Sequence, residues 1–114
     1  MAGLLNGLLN SALGADNIRL ITTAAGATHS VSAADDVILS TYSATNAVTI
    51  TLTTAQTIAG RTVHVIDAGG LAGTNNITID TEGSEKIIGQ DTYVINSNYN
   101  SVSLVSDGSH WFVL

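Results

Sequence analysis

Residues 46–67, NAVTITLTTAQTIAGRTVHVID, decide how the rest of the chain is read. Val48, Ile50 and Leu52 alternate with Thr49, Thr51 and Thr53. That period of two puts branched apolar groups on one face of a strand and hydroxyls on the other. Val63 and Val65 resume the alternation after an interruption at residues 54–60. The interruption reads as one helical turn, with Thr54 as its cap, Ala55, Gln56 and Ala59 inside it, and Gly60 closing it in a left-handed conformation. Strand, turn and strand are expected to form the centre of an antiparallel sheet, with the flanking segments laid on either side.

Toward the N-terminus, Ile18, Leu20 and Thr22 alternate, and residues 28–32 (THSVS) read as a weak strand. Residues 33–36 (AADD) read as a turn, and Val37, Ile38 and Leu39 make an unbroken apolar run, the pattern of a strand covered on both faces. Toward the C-terminus come a Gly-rich loop at 68–76 (AGGLAGTNN), alternation of Ile77 and Ile79, and a turn at 81–84 (TEGS). Short strands are expected at 86–88 and 93–95, and a further turn at 96–100 (NSNYN). Val102, Leu104 and Ser106 alternate, and Asp107-Gly108 signals a hairpin before the closing HWFVL. About nine short strands at spacings of about 8–12 residues predict an all-β domain over residues 17–114, an antiparallel, jelly-roll-like β-sandwich.

Residues 1–16 are of another kind. Leu5, Leu9 and Leu13 are spaced by four, as are Leu4, Leu8 and Ala12, so a helix here would carry one continuous apolar stripe. So short a helix is marginal in water unless it docks on something. Leu4, Leu5, Leu8, Leu9 and Leu13 are therefore the expected contacts of a docking arm.

Composition narrows the function. The 114 residues suit one domain with a real core. Charged residues make up 11% of the chain, against about 25% in a typical soluble domain. Mean hydropathy is +0.33, a value that points to outer surface buried against other chains. Net charge is −6, and the basic residues are Arg19, Arg61 and Lys86 alone. Binding nucleic acid needs clustered Lys and Arg, and an anionic membrane would repel this chain. Without cysteine there is no disulfide, thiolate metal site or cysteine nucleophile. No apolar run approaches the ~20 residues of a membrane span, and no basic residue precedes Arg19, so ordinary secretion is not expected.

Ile38, Ile66, Val105 and Phe112 fall out of phase with the core-facing set expected for their strands. His64 lies opposite Val63 and Val65 in the same alternation. These five are the expected subunit-interface residues. Little else suggests chemistry. His29, His64 and His110 sit in three segments without metal-ligand spacing, and neither a G-x-S-x-G elbow nor a phosphate loop is present. Asp80, Glu82 and Glu85 surround Gly83, and Asp35 adjoins Asp36, but neither group matches the calcium loop. With aromatic residues at 4%, a glycosidase cleft is poorly supplied. Neither enzyme activity, metal nor cofactor is expected.

The succession VTITL, a turn ending in AGR, TVHVIDAGG, TNNITID, IIG and SVSLVSDGSHWFVL resembles a small β-module of tailed-phage virion proteins: fibres, head fibres and capsid decoration (cement) proteins. The likeness covers residues 31–114 and is most specific at Ala59-Gly60-Arg61 and at residues 106–111. Family members often carry proline after the first strand, where this chain has Thr53-Thr54. The resemblance implies a non-enzymatic virion component, commonly a trimer. A short β-domain with a leucine-striped arm fits a homotrimeric decoration protein on the capsid surface, bound to the major capsid protein. The alternative is a receptor- or glycan-binding module of a fibre or tail tip, acting through loops 68–76 and 96–100.

Overall fold

A computed structural model describes residues 19–114; the leucine stripe of the arm lies outside the described residues. Nine strands follow in order: β1 (Ile21–Ala24), β2 (Thr28–Ser30), β3 (Val37–Ser40), β4 (Val48–Leu52), β5 (Thr62–Asp67), β6 (Ile77–Thr81), β7 (Thr92–Ile95), β8 (Ser101–Ser106) and β9 (Trp111–Val113). They form a five-stranded sheet in the order β1-β3-β5-β8-β9 and a four-stranded sheet in the order β2-β4-β6-β7.

The first six strands alternate between the sheets, so the chain winds around the core and each turn lays a strand on its predecessor. β1, β3 and β5 pair in parallel, as do β2, β4 and β6. The chain then reverses: β7 runs antiparallel to β6, β8 to β5, and β9 to β8. An all-β fold in two layers is what the alternation predicts. Antiparallel pairing throughout, as in a jelly roll, is not what forms, because four of the seven pairings are parallel. β4 and β5, expected as neighbours at one sheet's centre, lie in opposite sheets. Parallel neighbours need a long crossover, and here the strand in the facing sheet supplies it.

Both sheets contribute to one core. Val48, Ile50, Leu52, Ile77 and Ile79 face Ile38, Val63, Val65, Leu104 and Trp111, all at most 2% exposed. Each such aliphatic side chain stabilises the fold by about 1.5–3 kcal/mol relative to exposure. The Trp111 indole N–H donates to Thr57 Oγ1 at 3.1 Å, so its one polar atom is satisfied.

Connections at one end are tied by Arg61. Its Nη2 donates to the carbonyls of Ser32 (3.0 Å) and Asp35 (2.6 Å), Nη1 to the Thr62 carbonyl (2.6 Å) and Asp36 Oδ1 (3.2 Å), and Nε to Gln56 Oε1 (3.1 Å). The β4–β5 connection contains the expected turn as a 3-10 segment, Thr54–Gln56, but Thr53 is the residue before it and no side chain caps it. Glu82 Oε1 instead accepts the Thr54 N–H at 2.8 Å. Gly60 is left-handed, with φ +85°. The strand expected at 86–88 is reduced to bridges at Ile87.

Candidate functional site

The two outward faces differ in chemistry. On the four-stranded sheet, register aligns Thr28, Thr49, Thr78 and Val94 in one row and Ser30, Thr51, Asp80 and Thr92 in the next. Hydroxyls dominate, and such a face is comfortable in water. On the five-stranded sheet one row runs Ile21, Val37, His64, Ser103 and a second runs Thr23, Leu39, Ile66, Ser101. A third joins Thr62, Val105 and Phe112. Ile21 is 65% exposed, Phe112 42% and Leu114 70%.

In the middle of this face is a hollow of about 300 Å³ lined by Arg19, Val37, His64, Ile66, Ser101, Val102 and Ser103. His64 Nδ1 and Ser103 Oγ are 2.7 Å apart across the β5–β8 pair. Arg19 Nη1 reaches Thr62 Oγ1 at 3.4 Å. A serine bonded to an imidazole is half of a nucleophile–base arrangement. Among the described residues no carboxylate pairs with His64. The backbone N–H groups of β5 and β8 are engaged in the sheet, not free to hold an oxyanion.

Of the five expected interface residues, the structure brings His64, Ile66, Val105 and Phe112 onto this one face. Ile38 is corrected. It is 0% exposed and opposite Val65, facing the other sheet. In the run Val37-Ile38-Leu39 both phases are apolar, so only pairing with β5 fixes which one is inward. Val37 and Leu39 are the outward members and belong to the apolar face, where sequence reasoning missed them. Leu4, Leu5, Leu8, Leu9 and Leu13 lie outside the described residues.

The remaining titratable groups hold turns together. Asp35, 2% exposed, accepts from the Thr22 hydroxyl and from the Ser32 N–H at 2.8 Å, and its Oδ2 lies 2.9 Å from His29 Nε2. Burial alone would raise its pKa, but the bonds from Thr22, Ser32 and His29 together outweigh it and hold the carboxyl below its ordinary value. Glu85 Oε1 accepts the Gly83 N–H at 2.8 Å, and Asp107 Oδ1 accepts those of Ser109 and His110. No group of three or more possible metal-ligating side chains occurs among the described residues.

At the opposite end from Arg61 the structure joins the two loops singled out in the sequence. Asp67, 3% exposed at the end of β5, accepts the Gly70 N–H on Oδ1 at 3.1 Å. Its Oδ2 accepts the N–H groups of Ala72 and Tyr99, each at 2.9 Å. Asn98 Oδ1 accepts the Gly73 N–H at 2.8 Å. One buried carboxylate thus fastens loop 68–76 to loop 96–100.

Compared with models of known protein families the sequence matches none, and no curated protein matches it.

Proposed function

We propose that this chain is a non-enzymatic virion structural protein, a homotrimeric capsid decoration protein that binds the major capsid protein and stabilises the shell. The observation that carries this reading is the contrast between the threonine-rich face of one sheet and the apolar face of the other. Val37, Leu39, Ile66, Val105 and Phe112 share the latter with the exposed edge residue Ile21. An apolar sheet face beside a hydroxyl-covered one is suited to burial against a sister subunit. Likeness of residues 31–114 to the phage β-module supports the virion setting and the three-fold state.

The size of the face assigns the arm a share. Five strands about 4.8 Å apart and about five residues long give roughly 400 Å² of flat sheet. A stable interface buries about 800 Å² per partner. The sheet face covers about half of this, so the leucine arm of residues 1–16 is needed to complete the area buried on the particle.

Two measurements test the reading. Light scattering on the purified chain is expected to give a trimer, and Val105→Lys a monomer with an unchanged β-sheet circular dichroism spectrum. A wild-type monomer at all concentrations refutes self-assembly, and a trimeric Val105→Lys refutes the sheet face as the subunit contact. Deleting residues 1–16 is expected to abolish co-sedimentation with undecorated capsids while leaving the domain folded. Retained binding refutes the docking role of the arm.

A further inference from the structure

The end of the molecule fastened by Asp67 has a composition of its own. The loops gathered there, residues 25–27, 41–47, 68–76 and 96–100, contain no Asp, Glu, Lys, Arg or His. Their proximity is set by hydrogen bonds: Thr41 N–H to the Ala24 carbonyl, Gly69 N–H to that of Ser40, Asn75 Nδ2 to that of Ala44, and Gly73 N–H to Asn98. The charged residues of the turns, Asp35, Asp36, Glu82, Glu85, Lys86 and Asp107 among them, belong to the other end. Apart from six Ala and Leu71, the loops here are built of Gly, Asn, Ser, Thr and Tyr. In antibody paratopes the same residues combine rigid aromatic contact with adaptable hydrogen bonding.

Tyr99 is the centre of this surface. It is 72% exposed, and among the described residues it is the one large apolar side chain exposed in these loops. Its φ is +61°, a left-handed conformation that costs a non-glycine residue energy and persists only where surrounding contacts impose it. The contact imposing it is the buried Asp67 carboxylate on the Tyr99 N–H. Beneath the ring lies Gly70, itself at φ +72°, where a Cβ would stand 2.5 Å from Tyr99 Cε2 and 2.6 Å from Oη. Any side chain at position 70 would collide with the Tyr99 ring, so glycine there is what leaves the ring its place. The ring is therefore held against the protein by one side and presents the rest to solvent, flanked by the exposed Asn96, Asn98 and Asn100.

We propose that Tyr99 and the asparagines around it form a binding site for a neutral carbohydrate. An aromatic face offers a stacking surface to the C–H groups of a pyranose, and side-chain amides both donate to and accept from its hydroxyls. The absence of any cation in these loops selects against sialylated, phosphorylated or sulfated sugars. A protein partner would need a cluster of large buried anchors, whereas a sugar ring needs only one platform with polar groups beside it. This site is separate from the sheet face and does not depend on the subunit contact proposed there.

The test is an array of neutral and sialylated oligosaccharides probed with the full-length chain and with Tyr99→Asn and Tyr99→Phe. Asparagine tolerates the left-handed backbone while removing the ring. Wild type is expected to bind neutral glycans, Tyr99→Phe to retain binding, and Tyr99→Asn to bind about tenfold more weakly at an unchanged melting temperature. The best neutral sugar from the array, titrated into the isotopically labelled wild-type protein, is expected to shift the amide signals of residues 70–74 and 96–100. That second measurement needs no variant to fold. The proposal is overturned if no neutral glycan binds, if binding is confined to anionic glycans, if folded Tyr99→Asn binds as wild type does, or if the shifts fall elsewhere.

Discussion

Replacing Asp67 by Asn changes one atom and is expected to be among the more damaging isosteric substitutions in the domain. The carboxylate accepts three backbone N–H groups, Gly70 on one oxygen and both Ala72 and Tyr99 on the other. An amide has a single acceptor oxygen. If it takes the place of Oδ2, the Nδ2 group is turned toward the Gly70 N–H, and two donors face each other inside a 3%-exposed site. Losing one charge-assisted bond and orphaning one buried donor costs about 2–4 kcal/mol. A domain of this size holds about 5–10 kcal/mol in all. With a urea slope of about 1.5 kcal/mol per M, the unfolding midpoint should fall by about 2 M. Hydrogen exchange should quicken first at the amides of Gly70, Ala72 and Tyr99, whose acceptor is altered, with the amides of β4 and β6 following only the global loss of stability. A midpoint within about 0.2 M of wild type, or exchange that quickens uniformly without singling out those amides, would refute the assignment of Asp67 as the fastening of these loops.

Arg61→Lys, nominally conservative, gives up a planar fork that serves two carbonyls of the β2–β3 turn, the Thr62 carbonyl, Asp36 and Gln56 at once. It is expected to cost about 2–3 kcal/mol in urea unfolding, and a loss under about 0.5 kcal/mol would contradict the role given to it. Acid should act through Asp35, whose carboxyl is held below its ordinary value in the folded state. Its contribution is complete above the unfolded pKa and disappears as pH falls through about 4 toward the lower folded value. The wild-type melting temperature should drop across that window, and Asp35→Asn, already weakened at neutral pH, should drop less. Equal acid slopes for the two proteins would exclude Asp35 as a contributor.

Strand positions and their inward sets were largely legible because burial imposes a period of two that composition cannot disguise: Val48, Ile50 and Leu52, then Val63 and Val65, all lie in the core. Which strand neighbours which was not. A side chain's phase declares its face, not the direction of the strand beside it, so β4 and β5 read equally well as a hairpin or as opposite walls of a winding. The same blindness misplaced Ile38, where both phases of β3 are apolar. For the sheet face, the out-of-phase residues Ile66, Val105 and Phe112 were visible one at a time, and only the register joins them to Val37 and Leu39. At the far end, loops 68–76 and 96–100 could be named in advance. Tyr99 as a platform could not, because its posture depends on a carboxylate and a glycine about thirty residues earlier in the chain.

The winding also governs how the molecule carries load. β1, one edge of the five-stranded sheet, is joined to it by a four-residue register with β3 alone. The opposite end is closed by strands that run back against the winding, with β8 gripped between β5 and β9. Tension entering through the N-terminus would peel β1 from its neighbour a few bonds at a time, whereas the same pull on the C-terminal segment must first free Trp111 from the core. A tether at residues 1–16 would therefore let go gradually, like a strip of tape lifted from one corner, and leave the remaining body intact to seat itself again.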